Sequence, residues 1–298
     1  MTDNLPMPAP APLTKAQRTS IANLVRRAAR AEILPRFRSL AAHQISQKTG
    51  PQDLVTDADR EAEKMIARGL LHLFPSALII GEEDVSENPE ILKKIEGAER
   101  AFTIDPVDGT WNFAHGLTQF GVILSMLRFG KPVFGLLYDP IMDDMVIATD
   151  GAPAQMLRPN RPATRLSVSG GGALKDLTGY VGLHHIPEAK QAAMAATFPS
   201  FARSSSLRCA CHEFRMMAQG HVDFVFSAGL TPWDHAAGAL CVMRAGGHVA
   251  LLDGSDYTAT APRSAYLLCA SDKATWNRLA KLFRFLLDSP KEAKTAAG

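Results

Sequence analysis

Apolar positions along the chain recur with two different periods. In residues 14–40, Ile21, Leu24, Val25 and Ala28 repeat at helical spacing with basic residues between them, which predicts an amphipathic surface helix. Residues 60–74 carry the same period after the turn Gln47-Lys-Thr-Gly-Pro-Gln-Asp-Leu-Val-Thr-Asp-Ala-Asp59, with Thr56 or Asp57 as the N-cap. Short apolar runs predict strands over 77–80, 101–104, 121–129, 132–138 and 145–148, and residues 91–98 read as a helix or loop. Gly130-Lys131 separates two of these strands as a hairpin, so an antiparallel meander is expected. Residues 150–162, rich in Gly, Pro and Ala, read as a connection between an α+β subdomain over 1–155 and an α/β subdomain over 156–298. The second half alternates strands (180–183, 223–226, 248–252, 265–270) with helices (187–197, 206–220, 233–245, 273–287), which argues layered α/β packing. Residues 289–298 read as a frayed tail.

Composition narrows the function classes. The chain has 298 residues, 46% hydrophobic and 21% charged, an ordinary soluble composition for one large or two medium domains. A net charge of +2 with no basic block gives no footprint for a nucleic-acid polymer or a membrane surface. No apolar run approaches a membrane span. Residues 1–12 lack the basic-then-apolar order of a signal peptide and read as a loose tail. Cys209, Cys211, Cys241 and Cys269 lack metal-finger spacing; Cys209 and Cys211 alternate as they would on one face of a strand, and buried thiols of a cytoplasmic protein are expected.

The chemistry concentrates in Ala101-Phe-Thr-Ile-Asp-Pro-Val-Asp-Gly-Thr-Trp-Asn-Phe-Ala-His-Gly116. A strand ends at Asp105, Pro106 fixes the backbone, Asp108-Gly109 turns it, and Thr110 can open a short helix whose first N–H groups suit a phosphate. Carboxylate oxygens favour hard cations such as Mg²⁺. Ordinary turn chemistry has the same sequence. Asp53, Asp57 and Asp59 crowd a helix start, where capping accounts for one or two and a supporting role with Lys48 is open. Gly81-Glu82-Glu83-Asp84 follows a strand end, as a ligand site or a solvated acidic turn. Pro232-Trp233-Asp234 has a helix-start signature, with Asp234 as N-cap or first-turn acid; Ala236, Ala237 and Gly238 permit close approach, and Gly246-Gly247 ends the helix.

Taken in order, Asp53-Leu-Val-Thr-Asp-Ala-Asp59, Gly81-Glu82-Glu83, Ile104-Asp-Pro-Val-Asp-Gly-Thr-Trp-Asn-Phe113 and Trp233-Asp-His-Ala-Ala-Gly238 with Gly246-Gly247 resemble the inositol monophosphatase family of Mg²⁺-dependent, lithium-sensitive phosphatases. The resemblance runs over roughly residues 22–287. It implies a layered αβαβα sandwich, the sugar-phosphatase fold, in a paired-subunit assembly. It also implies about two to three Mg²⁺ per subunit. Glu82, Asp105 and the Val107 carbonyl would hold one ion; Asp105, Asp108 and Asp234 a second; a third, weaker ion would share Glu82. Gly109 and Thr110 would bind phosphate, Thr110 oriented by Asp59 would position water, and Glu83 would support as a base or from behind the metal ligands. The implied reaction is hydrolysis of a small polar phosphate ester, inositol-1-phosphate-like, by water activated at the metal.

The chain departs from the family pattern in the substrate pocket. The inositol-reading acid, seven residues before Asp234, is Ser227 here, and a Gly-Ser/Thr pair becomes Arg208-Cys209. Arg208 would pair with Glu213 or another acid, or meet a second anionic group on the substrate. Arg244, before Ala245-Gly246-Gly247, replaces a Glu and has no reading from sequence. Histidinol phosphate, a sugar bisphosphate and a phosphoadenosine nucleotide stand as alternative substrates, and a non-catalytic phospho-ligand-binding relative as the alternative of a different class.

Overall fold

Thr14 opens the first helix with a capping box: its hydroxyl accepts from the Gln17 amide at 3.2 Å while the Gln17 side chain accepts from Thr14 N at 2.9 Å. The computed structural model describes residues 13–288, so the readings of both tails lie outside the described residues. Helix α1 (Lys15–Ala28) buries Ile21, Leu24, Val25 and Ala28, the predicted face. The helix stops well before residue 40: its backbone widens into a π-turn at Ala29–Ile33 and tightens at Leu34–Arg36, where Pro35 lacks the N–H a helix needs. Next comes a hairpin, β1 (Ile45–Gly50) with β2 (Asp53–Thr56), where the sequence suggested only a turn. Thr56 caps α2 (Asp57–Leu73), and the Asp59 carboxylate returns to the Thr56 amide as the reciprocal half of a capping box.

Strand β3 (Leu78–Gly81) runs into a short helix, α3 (Glu82–Glu87), in place of an acidic turn. After a 3₁₀ segment at Pro89–Lys94, β4 (Ala101–Asp108) continues past Asp105, bulging against its neighbour between Asp105 and Asp108. Helix α4 (Thr110–Ala114) follows, then β5 (Gly121–Arg128), β6 (Lys131–Asp139), β7 (Asp144–Thr149), β8 (Ala152–Leu157) and β9 (Thr164–Arg165). The expected meander is therefore longer than three strands. Residues read as a connection contribute β8, which pairs antiparallel with β7 through a tight turn at Gly151. The order β3-β4-β5-β6-β7-β8-β9 makes one seven-stranded sheet, with only β3 and β4 parallel.

The second sheet uses β10 (Thr178–Val181), β11 (Arg203–Ser205), β12 (Phe224–Ala228), β13 (His248–Leu251) and β14 (Tyr266–Ala270) in the order β11-β10-β12-β14-β13. Its helices are α5 (Glu188–Ala195), α6 (Ala210–Ala218), α7 (Pro232–Arg244) and α8 (Lys273–Phe283). Helix α6 starts later than predicted because Arg208 takes φ +54° and Cys209 is extended. Cys209 and Cys211 therefore flank a helix start and share no strand; all four cysteines are buried and free.

Three apolar clusters show how the layers stack. One joins α1 and α2 to the seven-stranded sheet, through Ile21, Ile66, Phe102, Leu124 and Leu136. A second fills the space between the sheets, where Ile123, Leu137 and Leu267 meet Phe214, Ala237 and Val242 of α6 and α7. A third packs α5 and α8 on the outer face of the second sheet, through Met194, Leu279 and Phe283. The result is the layered αβαβα sandwich. Neighbours Ile123 and Leu124 point to opposite layers, so β5 is buried on both faces and reads as a continuous apolar run. Among the described residues no helix is long and apolar enough to cross a membrane.

Helix α7, at the centre, is buried almost all round. It lies close on β6, where a Cβ on Gly135 would lie 2.8 Å from the Ala237 carbonyl oxygen and 3.0 Å from its Cα. Backbone on both sides leaves nothing to move aside. Gly135→Val should therefore lower stability by about 1–3 kcal/mol. The urea midpoint should fall at constant m-value, and an unchanged midpoint would show that this contact tolerates a side chain.

Candidate active site

Parallel pairing of β3 with β4 brings the first two acids together. Gly81 lies opposite Ile104, so the next residues, Glu82 at the start of α3 and Asp105 within β4, stand at the same level. Asp105 ties the β4 bulge with its own side chain, Oδ1 accepting from Val107 N at 3.0 Å. Asp234 arrives from the other half of the chain, in the first turn of α7, where its Oδ2 accepts from the Thr231 hydroxyl at 2.7 Å. Oxygens of Glu82, Asp105 and Asp234 lie within 4.8 Å of one another. Asp108 lies outside that trio: its Oδ2 accepts from Cys209 Sγ at 3.1 Å and from the Cys211 amide, which fastens it to the start of α6.

Burial raises the proton affinity of these acids. Burial, with the charges of Asp234 and Glu83, pushes Glu82 up to about 8. Asp108 rises to about 7, by burial and then by Asp234, and Asp105 stands well above the usual carboxylate range, by burial and then by Glu82. Lys48 of β1 counters them, its Nζ 2.8 Å from Glu82 Oε1 and 2.6 Å from Glu83 Oε1. Burial alone would lower the lysine, but the two glutamates outweigh it and hold the ammonium above its ordinary value. One ammonium does not balance this many carboxylates. A buried set of hard oxygen donors short of positive charge is the chemistry that suits a divalent cation.

Beside this set the chain turns sharply. Gly109 has φ +86°, and a Cβ there would meet the Gln119 carbonyl oxygen at 2.8 Å, so only glycine fits. Thr110 Oγ1 lies 3.1 Å from Asp59 Oδ1 and 3.0 Å from the Val107 carbonyl oxygen. Asp59 is held through its other oxygen by the Thr56 amide and hydroxyl, and burial raises it to about 6. Glu82, Asp108, Gly109, Thr110 and Asp234 all face one cleft of about 210 Å³. Trp111, His184, His185, Arg208 and Ser227 line the same cleft.

Arg208 does not pair with Glu213. Its guanidinium lies over the Trp111 ring, 4.0 Å from the centroid, and Nη2 donates to Gln52 Oε1 at 3.1 Å. Glu213, its carboxyl raised by burial to about 7, instead accepts from Leu207 N at 2.7 Å and the Ser206 hydroxyl at 3.0 Å. Arg244, unread from sequence, forms an ion pair with Asp150. Sequence reasoning missed Glu63, whose carboxylate accepts from the amides of Glu83 and Asp84 at 2.9 and 3.0 Å and so steadies the start of α3. The signal was an acid on the apolar face of α2, between Ala62 and Ile66. The His184-His185 pair, also missed, follows closely on a strand end; burial lowers both imidazoles, His185 to about 4.

The inositol monophosphatase family profile matches residues 14–288. The fructose-1,6-bisphosphatase/inositol-1-monophosphatase of Thermotoga maritima is 30% identical over 215 residues, 72% of this chain and 78% of that protein. The Escherichia coli K12 protein named Nus factor SuhB is 33% identical over 248 residues, 79% of this chain and 85% of its own. Among solved structures, the Thermotoga maritima IMPase matches with a TM-score of 0.75 at 25% identity, covering 92% of this chain and 98% of that one. The extragenic suppressor protein suhB of Bartonella henselae gives 0.74 at 27% identity, over 90% and 98%. Matched in sequence and fold across the described structure, the chain belongs to the inositol monophosphatase family.

Proposed function

We propose that this chain, a phosphoric monoester hydrolase by family, cleaves small polar phosphate esters with Mg²⁺ held by Glu82, Asp105, Asp108, Asp234 and the Val107 carbonyl. The carrying observation is the convergence of Glu82, Asp105 and Asp234 oxygens within 4.8 Å beside the Gly109 turn. When bound, the cations neutralise phosphate charge and acidify a water for in-line attack. About two to three ions per subunit, lithium sensitivity and a cytoplasmic paired-subunit assembly belong to the same proposal.

The remaining steps fall to the chain's own groups. Asp59, fixed through Oδ2, accepts the Thr110 proton at Oδ1, which leaves the Thr110 lone pairs to receive and aim the attacking water. Asp59, raised to about 6, can take a share of the proton as attack proceeds. First-turn amides of a helix lack internal partners, so those after Gly109 can donate to phosphate oxygens. Glu83, held by Lys48, supports Glu82 from the rim. At the alcohol end Ser227 offers a hydroxyl but no charge.

Asp105→Asn should lower kcat by about a thousandfold in a Mg²⁺-dependent phosphomonoester assay. Its cation-free melting temperature should stay level or rise, because a buried charge is removed. Turnover at the wild-type rate would overturn the assignment. Stability should also respond to pH. Asp59, Glu63, Glu82 and Asp108, at about 6, 7, 8 and 7, bind protons more tightly folded than unfolded. Stability is then fullest near the unfolded carboxyl range and is lost as pH rises through these values. Without cations the melting temperature should fall from about pH 5 to pH 8, and saturating Mg²⁺ should restore more of it at the higher pH. A flat profile, with no cation effect, would remove the charged cluster as the binding site.

A further inference from the structure

The Arg208 side chain is more firmly placed than a surface arginine. Its backbone sits at φ +54°, a conformation costing a non-glycine residue about 1–2 kcal/mol. The surroundings impose it: Asn112 Nδ2 donates to the Leu207 carbonyl at 2.9 Å, and the Ser206 hydroxyl accepts from Arg208 N at 3.1 Å. Trp111, under the guanidinium, is itself stacked on His115 with ring centroids 4.0 Å apart. Gln52 takes one N–H at 3.1 Å. Among the described residues the guanidinium has no ion-pair partner, so its charge is presented to the cleft with most of its donors unspent.

The cleft therefore carries two unlike kinds of group. Its carboxylates suit cations and, through them, the phosphate to be cleaved. Arg208 adds a guanidinium, and Ser227 stands in the lining in place of an acid. A neutral polyol would leave the guanidinium's donors beside it unmatched, and an ammonium group would meet like charge. A planar fork held flat on an indole is suited to two-pronged binding of phosphate or carboxylate. We propose that Arg208 reads a second anionic group on the alcohol half of the substrate, so that this chain prefers phosphomonoesters already carrying another phosphate or carboxylate. The inference rests on the phosphatase reading above and names the substrate class of that same site.

The test uses the full chain with Mg²⁺ and two matched pairs: fructose 6-phosphate with fructose 1,6-bisphosphate, and glucitol 6-phosphate with 6-phosphogluconate. Wild type should favour the doubly anionic member of at least one pair by about tenfold or more in kcat/KM, and the pair that shows it distinguishes phosphate from carboxylate. Arg208→Asn, which tolerates the left-handed turn, should cut that preference by about thirtyfold, mainly through KM, the size of a lost charge-assisted hydrogen bond. Arg208→Lys, keeping charge without the flat fork, should lose less. Preference for the member without the second anionic group in both pairs would overturn the proposal while leaving the phosphatase reading intact. So would an equal fall on both members in Arg208→Asn, which would place the guanidinium on the cleaved phosphate. Absence of Mg²⁺-dependent hydrolysis of any of the four esters would overturn the parent reading and this one with it.

Discussion

Burying several carboxylates within reach of one another is the constraint on which this structure turns. Water would solvate each charge; the interior does not, and mutual repulsion adds to the penalty, which is why Glu82, Asp105 and Asp108 all hold protons above the usual carboxylate range. The fold offsets part of this with Lys48, with the amides donated to Asp105 and Asp108, and with the Thr231 hydroxyl on Asp234. What remains unbalanced is a standing affinity for positive charge. Function and instability thus have the same origin, as is common where a protein preorganises a charged site.

The acids are held in place by tertiary packing. Glu82 and Asp105 meet because β3 and β4 are parallel and in register; Asp234 joins them because α7 lies between the two sheets with its first turn at the strand ends. Helix α7 can lie so deep because glycine faces it at Gly135 and because its own Gly238 accommodates the Phe214 ring of α6. Helix α6 in turn fixes Asp108 through the Cys211 amide. A shift of either helix would separate acids contributed by both halves of the chain, so packing density between the sheets sets the precision of the cluster.

Local chemistry was readable from sequence where the deciding neighbours are close along the chain. The Asp105-Pro-x-Asp-Gly turn chemistry, the Thr56 cap and the apolar runs of β5 and β6 each announce themselves within a few residues, although the strand expected to end at Asp105 bulges and continues to Asp108. The features that escaped depend on distant partners. Strand β8 is punctuated by Gly151 and Pro153 and exists because β7 offers it an edge. Lys48 was readable only as a support beside Asp53, Asp57 and Asp59, and the β1–β2 hairpin instead carries it to Glu82 and Glu83. Arg208 has an acid five residues on, but its backbone turns left-handed and sends the side chain to Trp111 and Gln52, the latter 156 positions away.

The groups proposed for hydrolysis and for recognition meet on the single turn of α4. Thr110, its first residue, touches Asp59; Trp111, the second, carries the Arg208 guanidinium; Asn112, the third, is buried and donates to the carbonyls of Gln119, Leu207 and Arg208. Because Asn112 grips backbone, the turn before α6 has a hold on its path that does not depend on the Arg208 guanidinium. The charge at position 208 can then change, among residues that accept a left-handed backbone, without displacing the Thr110–Asp59 pair. On the proposed function, Asp105, Asp108 and Thr110 stand on rigid elements where the bond would be broken, and Arg208 stands on a braced loop where the alcohol would be read.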